Sequence, residues 1–375
     1  MENSKHRERV LKAFNRQQPD RIPIDFGSKG SSLVIGAYDK LKEKLGLEKP
    51  TEILDTRLGL AQIDSEILDK FKVDTRYVYM KGAASHDPQW NTAEDTFVDE
   101  WGVTLKKPKG GLYYDYVRFP IQEPNIQALK THQWPDPDDP TRFEGLREEA
   151  KALYDRGYAV GTYIKGVWET TWALRSMENA CLDLLTEKKF YLAMADRVAD
   201  VLSRMVENFF CEVGDYVQWI CVTCDLGSQE NLLISPQAYK EFVRPFEIRI
   251  YEAARKHSSA KIAQHSCGAV YPLIPNIIDA GVEILNPIQT SAKGMDTAKL
   301  KAEFGNHLCF WGGIDVQQLM SFGTVQDIAQ EVERVMGDLG PGGGYLFGPS
   351  HDIQTMTPPE NVLAMYETAL QRAQY

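Results

Sequence analysis

From Tyr158 to its C-terminal end the chain repeats one pattern six times: a short apolar run, then a stretch of helical periodicity. The runs are "YAVGTYI", "YVQWICVTCD", "KIAQHSC", "VEILNPI", "HLCFWGGI" and "GGYLFGPSH". Each has strand length, and strands that alternate with helices form a parallel sheet, because a parallel neighbour is reached only by a long crossover. Two earlier β-like runs, Arg21–Gly27 and Val73–Met80, bring the strand number to eight. The pattern predicts an α/β fold, a (β/α)8 TIM-type barrel, in preference to an open dinucleotide-binding sheet. The one glycine-rich run, Gly340–Gly344, precedes its strand. A phosphate-cradling loop follows a strand and opens a helix, so this run reads as a helix-to-strand turn.

The barrel accounts for most of the 375 residues, and we read residues 1–375 as a single domain. Residues 1–70 form an N-terminal helical extension. Residues 96–121, "TFVDEWGVTLKKPKGGLYYDYVRFPI", alternate apolar and polar residues around Lys109-Gly110-Gly111, as an inserted β-hairpin does. The turn-rich loop Trp134–Pro140 separates this N-terminal part from the repeating units. With 43% hydrophobic and 25% charged residues, the chain can bury a large core. Its net charge of -11 argues against general nucleic-acid binding, which needs basic surface to displace counterions. No apolar run is long enough to span a bilayer, and Met1–Arg9 leads directly into a helical pattern without an apolar signal core, so a cytoplasmic location is expected. The six cysteines are too sparse for a disulfide scaffold and read as reduced thiols.

In a βα barrel the C-terminal strand ends converge on one face, so polar residues placed there can act together. Tyr163, Lys165, Asp225, His265, Cys267, Asn286, Gln289, Asp315, His351 and Asp352 occupy such ends. His265 and Cys267, two apart in "QHSCGAV", face the same way from an extended strand and could chelate one ion. Gly268 then lets the chain turn away. A catalytic zinc site has three protein ligands and an open position, and His351 is the preferred third ligand. Cys309 competes, but it lies before its strand end and is expected to point into a barrel layer. Cys221 and Cys224 stand three apart within one strand and so face opposite sides, as separate packing residues. Asp225 and Glu169 are candidates for catalytic proton handling. Tyr163, Lys165, Trp168, Asn286, Gln289 and Trp311 are candidates for substrate binding, the aromatic members, with Trp172, suiting a flat ring.

The ordered series "GVWETTWALRSMENACLDLL", "CDLGSQENLLISPQAYKEFVRPF", "HSCGAVYPLIPNIIDAGVEILNPIQ", "FWGGID" and "GPGGGYLFGPSHDIQTMTPPENVLAMYETA" resembles the uroporphyrinogen decarboxylase-like superfamily. It is most similar to the branch of zinc-dependent methyltransferases that work with corrinoid proteins. The resemblance covers somewhat more than the second half of the chain and implies a barrel. It departs from the decarboxylases themselves: "RIPIDFGSKGSSLVIG" lacks the R-Q-A-G-R-Y type of motif, and no catalytic aspartate stands near "VDTRYVYM" in the decarboxylase manner. In the methyltransferase branch the H-x-C pair, here His265 and Cys267, supplies two zinc ligands. The third is usually a cysteine in a P-G-C-G-I type segment, whose counterpart here is Pro349-Ser350-His351-Asp352-Ile353.

That histidine changes the chemistry the resemblance implies. Two thiolates and an imidazole leave Zn²⁺ near neutral and suit binding of a thiol. One thiolate and two imidazoles leave it about +1, a stronger Lewis acid suited to an ether oxygen. The expected function is demethylation of a small methoxylated aromatic compound, its methyl passing to the cobalt of a corrinoid. The chain has no D-x-H-x-x-G corrinoid segment and no S-adenosylmethionine-type glycine loop, so the corrinoid (cobalamin) is expected on a partner protein. The alternatives are methyl transfer to or from a thiol or amine, a metal-independent decarboxylase, and a non-catalytic ligand-binding barrel. Homodimerisation stays open.

Overall fold

The computed structural model describes residues 5–86, 88–111 and 113–374. Met1–Ser4 of the N-terminal stretch, Leu112 of the hairpin region, Asp87 and Tyr375 lie outside them. A short antiparallel pair, β1 (Ile53–Asp55) and β2 (Leu60–Ala61), precedes the first barrel strand, β3 (Thr75–Tyr77). The next four strands, β4 (Gln89–Asn91), β5 (Thr96–Val98), β6 (Thr104–Lys106) and β7 (Asp115–Arg118), form an antiparallel meander. The remaining barrel strands are β8 (Ala159–Lys165), β9 (Trp219–Thr223), β10 (Lys261–His265), β11 (Ile284–Ile288), β12 (Cys309–Ile314) and β13 (Tyr345–Pro349).

All six apolar runs from Tyr158 onward are strands of one parallel sheet, in the order β13-β12-β11-β10-β9-β8-β3. The eighth stave is the segment around Ile24. It bridges Phe347 in parallel on one side, and its carbonyl accepts the Asp74 N–H on the other. The barrel thus closes between its first and last strands through a segment too short to count as a strand. The expected hairpin is half of a larger feature. β6 and β7 flank Lys109-Gly110-Gly111 as anticipated, while β5, inside the expected span 96–121, and β4, before it, extend the sheet to four strands.

Helix α1 (Lys5–Phe14) plugs the N-terminal end of the barrel. Its Val10 and Phe14 join Ala159, Cys221, Cys309 and Trp311 in the interior cluster, while the larger outer cluster lies between the strands and the surrounding helices. Cys221 belongs to the inner cluster and Cys224 to the outer one, the opposite facing expected of them. Gly340–Gly344 does connect the helix Val325–Leu339 to β13. Among the described residues the six cysteines are free, and no helix is long and apolar enough to cross a membrane.

Candidate metal centre

His265 ends β10, Cys267 stands two residues beyond it, and His351 stands two residues beyond the end of β13. One donor atom from each lies within 4.8 Å of the others, among the described residues. Cys267 Sγ is 3.4 Å from His265 Nε2, and the two imidazole rings meet edge to face with centroids 5.6 Å apart. The turn that aims Cys267 inward depends on Gly268, whose φ is +88°. A Cβ there would lie 2.5 Å from the Gly227 carbonyl carbon, so no other residue fits between the two loops.

Parallel register places His265 opposite Asn286 of β11, and its Nδ1 donates to Asn286 Oδ1 at 2.7 Å. With Nδ1 protonated, Nε2 keeps a lone pair, the tautomer that a metal ligand needs. Tyr163 OH donates to the same Asn286 oxygen at 3.3 Å, which supports this orientation of the amide. Of the His351 side chain 39% is exposed, on the cavity side, but protein surrounds the rest. Burial first, then the neighbouring His265, pull its pKa down to about 4, so the ring is neutral. Its Nδ1 accepts the Asp352 N–H at 2.8 Å, so, unlike His265, it must shift its proton before Nε2 can serve a metal. Burial, followed by the charges of Asp225 and Glu169, pushes the Cys267 thiol well up. A bound cation would reverse this balance and favour the thiolate.

Asp225 follows β9 and ties the Cys267 loop down: its Oδ1 accepts the Cys267 N–H at 2.8 Å and lies 4.0 Å from His265 Nε2. Glu169 accepts the Asp225 N–H at 3.2 Å. Burial and then the Asp225 charge raise the Glu169 pKa. Gln289 Oε1 accepts the Gly268 N–H at 2.8 Å. Lys165 donates to Tyr116 of the meander at 3.1 Å, and Asp315 caps the backbone that follows it, accepting from the N–H groups of Gln318 and Leu319.

Trp168 and Trp311, expected among the substrate contacts, are both 0% exposed. Trp168 braces the site from behind, donating to the Asp225 carbonyl at 2.7 Å. Trp311 lies in the barrel interior and donates to Asp25 Oδ2 at 2.9 Å. The aromatic surface nearer the mouth is instead the edge-to-face pair Tyr116 and Trp172, beside Lys165.

A cavity of about 510 Å³ opens on Cys267 and His351. Val34, Leu58, Leu60 and Val316 give it an apolar wall, and among the described residues no lysine or arginine lines it. Its polar wall includes Gln229, Gln317, Gln354 and Tyr113, all missed in reading the sequence. They stand in loops a few residues past the strand ends or in the meander, and polar side chains spaced in this way carry no periodic signal. The only hint was that three glutamines follow barrel strands.

A family model described as uroporphyrinogen decarboxylase (URO-D) matches residues 110–371. The uroporphyrinogen decarboxylase of Methylobacillus flagellatus is 28% identical over 189 residues, which cover 49% of this chain and 51% of that protein. The chain thus spans about half the length of that relative. The enzyme of Azoarcus sp. is 34% identical over 165 residues, 40% of this chain and 43% of its own. Among solved structures, a methyltransferase from Methanosarcina mazei superposes with a TM-score of 0.67, covering 98% of both chains at 16% identity. At that identity the likeness is one of fold, and it agrees with the barrel described above.

Proposed function

The chain belongs to the uroporphyrinogen decarboxylase family, and within that family we propose that it is a zinc-dependent methyltransferase. In this reading it takes the methyl group from the ether oxygen of a small methoxylated aromatic compound. The acceptor is the cobalt of a corrinoid carried by a separate protein. The observation that carries the proposal is the convergence of His265, Cys267 and His351, with donor atoms within 4.8 Å, beside a cavity that Cys267 and His351 line and that has no cationic side chain among the described residues.

The residues fit the metal. One nitrogen is preset by Asn286, a second imidazole is neutral, and a buried thiol stands to gain from a nearby positive charge. Zinc held there would supply Lewis acidity toward an ether oxygen. Asp225 fixes the Cys267 loop through the Cys267 N–H. Glu169, which burial and Asp225 hold toward its protonated form, would return a proton to the oxygen that loses its methyl. Methyl transfer is favoured over decarboxylation of a carboxylate-rich tetrapyrrole by the cavity lining. Several substrate carboxylates call for several arginines, and the cavity offers none.

Metal analysis of the purified protein and of His351→Ala tests the centre. About one zinc per chain is expected in the parent, and affinity weaker by roughly a hundredfold or more in the variant. Equal zinc occupancy in a folded variant would remove the assignment. Loss of the methoxy group, followed through the corrinoid spectrum with a reduced corrinoid protein, tests the reaction.

A further inference from the structure

The polar wall of the cavity is an oriented chain of amides. It starts at the Gly268 N–H, which can only donate, and which Gln289 Oε1 accepts at 2.8 Å. Gln289 must therefore present its NH₂ forward, where Nε2 donates to Gln229 Oε1. Gln229 Nε2 in turn donates to Gln317 Oε1 at 2.7 Å. One backbone N–H thus fixes the orientation of three side-chain amides that would otherwise be interchangeable. The chain ends on Gln317 Nε2, which has no acceptor among the described residues. Across the cavity Gln354 is also engaged at both ends, accepting from Tyr113 OH at 3.2 Å and donating to the Asp352 carbonyl at 2.9 Å.

The wall therefore offers a ligand N–H donors and no cation. The one ionisable side chain in it besides the two metal-ligand candidates and Tyr113 is Asp352, an acid. Arg57 is not among the lining residues; its guanidinium lies 5.5 Å from the Tyr116 ring centre, and its charge reaches His351 and Asp352 without entering the wall. Away from the metal, a carboxylate held against this wall would give up hydration without a cationic side chain to pair with, whereas a neutral oxygen would find the Gln317 amide ready.

Resting on the methyl-transfer reading above, we infer that the cavity selects an uncharged methyl donor. Its ring lies against Val34, Leu58, Leu60 and Val316, and a second, neutral oxygen accepts from Gln317 Nε2. The same wall discriminates against ring carboxylates.

Calorimetric titration of the zinc-loaded protein with 2-methoxyphenol and with 4-hydroxy-3-methoxybenzoate, which differ only by a carboxylate, tests this. The neutral compound is expected to bind roughly tenfold or more tightly. Gln317→Ala should weaken it by roughly threefold to tenfold, and Gln317→Lys should narrow or invert the preference. Equal or tighter binding of the carboxylate by the parent protein overturns the inference. So do a preference unmoved by either variant and failure of both compounds to bind. Selective binding without methyl transfer would remove the reaction and leave the selectivity. Preferred demethylation of the carboxylate would do the opposite.

Discussion

Asp74 and Glu247 are both 0% exposed, yet their surroundings push them in opposite directions. Asp74 stands just before β3, at the plugged end of the barrel. It accepts from His6, Arg9 and Arg21 and from the Ile24 N–H. Burial alone would raise its pKa, but the His6 hydrogen bond and the charges of Arg21 and Arg9 outweigh it and hold the carboxyl below its ordinary range. Glu247 lies behind the mouth, beside the start of the helix Val167–Arg175, and accepts the Trp168 N–H at 2.9 Å. Burial pushes it up to about 8, against the lowering effect of the Trp168 and Val167 N–H groups and with the Glu169 charge adding to the rise. Buried charge at the plugged end is closed into pairs. Around the mouth Glu247, Glu169, Cys267 and His351 all have their charged forms disfavoured. The first arrangement holds the barrel shut, and the second leaves a region whose electrostatics change when a cation or ligand arrives.

Removing the acceptor at the closed end should have the largest effect. Asp74→Ala removes the partner shared by Arg9 and Arg21; Arg9 keeps its pair with Asp20, but the nearly buried Arg21 loses its carboxylate, and a loss of about 3–5 kcal/mol in urea unfolding is expected. Zinc bound per folded molecule should stay unchanged. Since the folded-state pKa of Asp74 is depressed, its contribution is present above about pH 4 and fades as pH falls through that lowered value. A stability loss below about 1 kcal/mol would mean that the two ends do not differ in this way.

Glu247 should show the opposite sign. Its folded-state pKa is raised, so its contribution is fully present below about pH 4.5 and is lost as pH climbs toward 8. The loss amounts to about 1.4 kcal/mol per pH unit, up to about 4 kcal/mol between pH 5 and 8. Glu247→Gln should flatten that dependence, making the variant relatively more stable at pH 8 than at pH 5. Parallel stability curves for variant and parent over that range would show that Glu247 is ionised in the fold at no penalty.

The same contrast shows what was legible in the sequence. The six strands from Tyr158 onward were readable because buried parallel strands are continuous apolar runs, and the placing of His265, Cys267 and His351 together followed from their strand ends. The eighth stave was visible as a short β-like run, but its role depends on Phe347 and Asp74, more than 40 residues away or at the far end of the chain. The first meander strand, Gln89-Trp90-Asn91, carries a single apolar residue and lies outside the alternating run 96–121. Trp311 could have been placed correctly. It stands two residues after Cys309 on β12, so the period-two rule that sends Cys309 inward sends Trp311 inward as well, and both lie in the inner cluster. The glutamine wall was not legible, because its members meet only through the fold.

Asn286 offers the finest test of the comparison, since it orients a mouth residue without bringing charge. Its oxygen holds the proton on His265 Nδ1 and so keeps Nε2 free. Asn286→Ala leaves the buried Tyr163 and His265 donors without their acceptor, so it should cost about 1–3 kcal/mol of stability and weaken zinc binding about tenfold to a hundredfold in a chelator competition on the folded variant. Asn286→Asp keeps an acceptor at that position and adds the kind of charge found at the plugged end, so it should retain or tighten zinc affinity. If both variants bind zinc within about threefold of the parent, Asn286 does not set the imidazole. If only the aspartate variant recovers affinity, an acceptor facing Nδ1 is what the mouth requires, and its neutrality in this chain is a separate property that keeps the region free of fixed charge pairs.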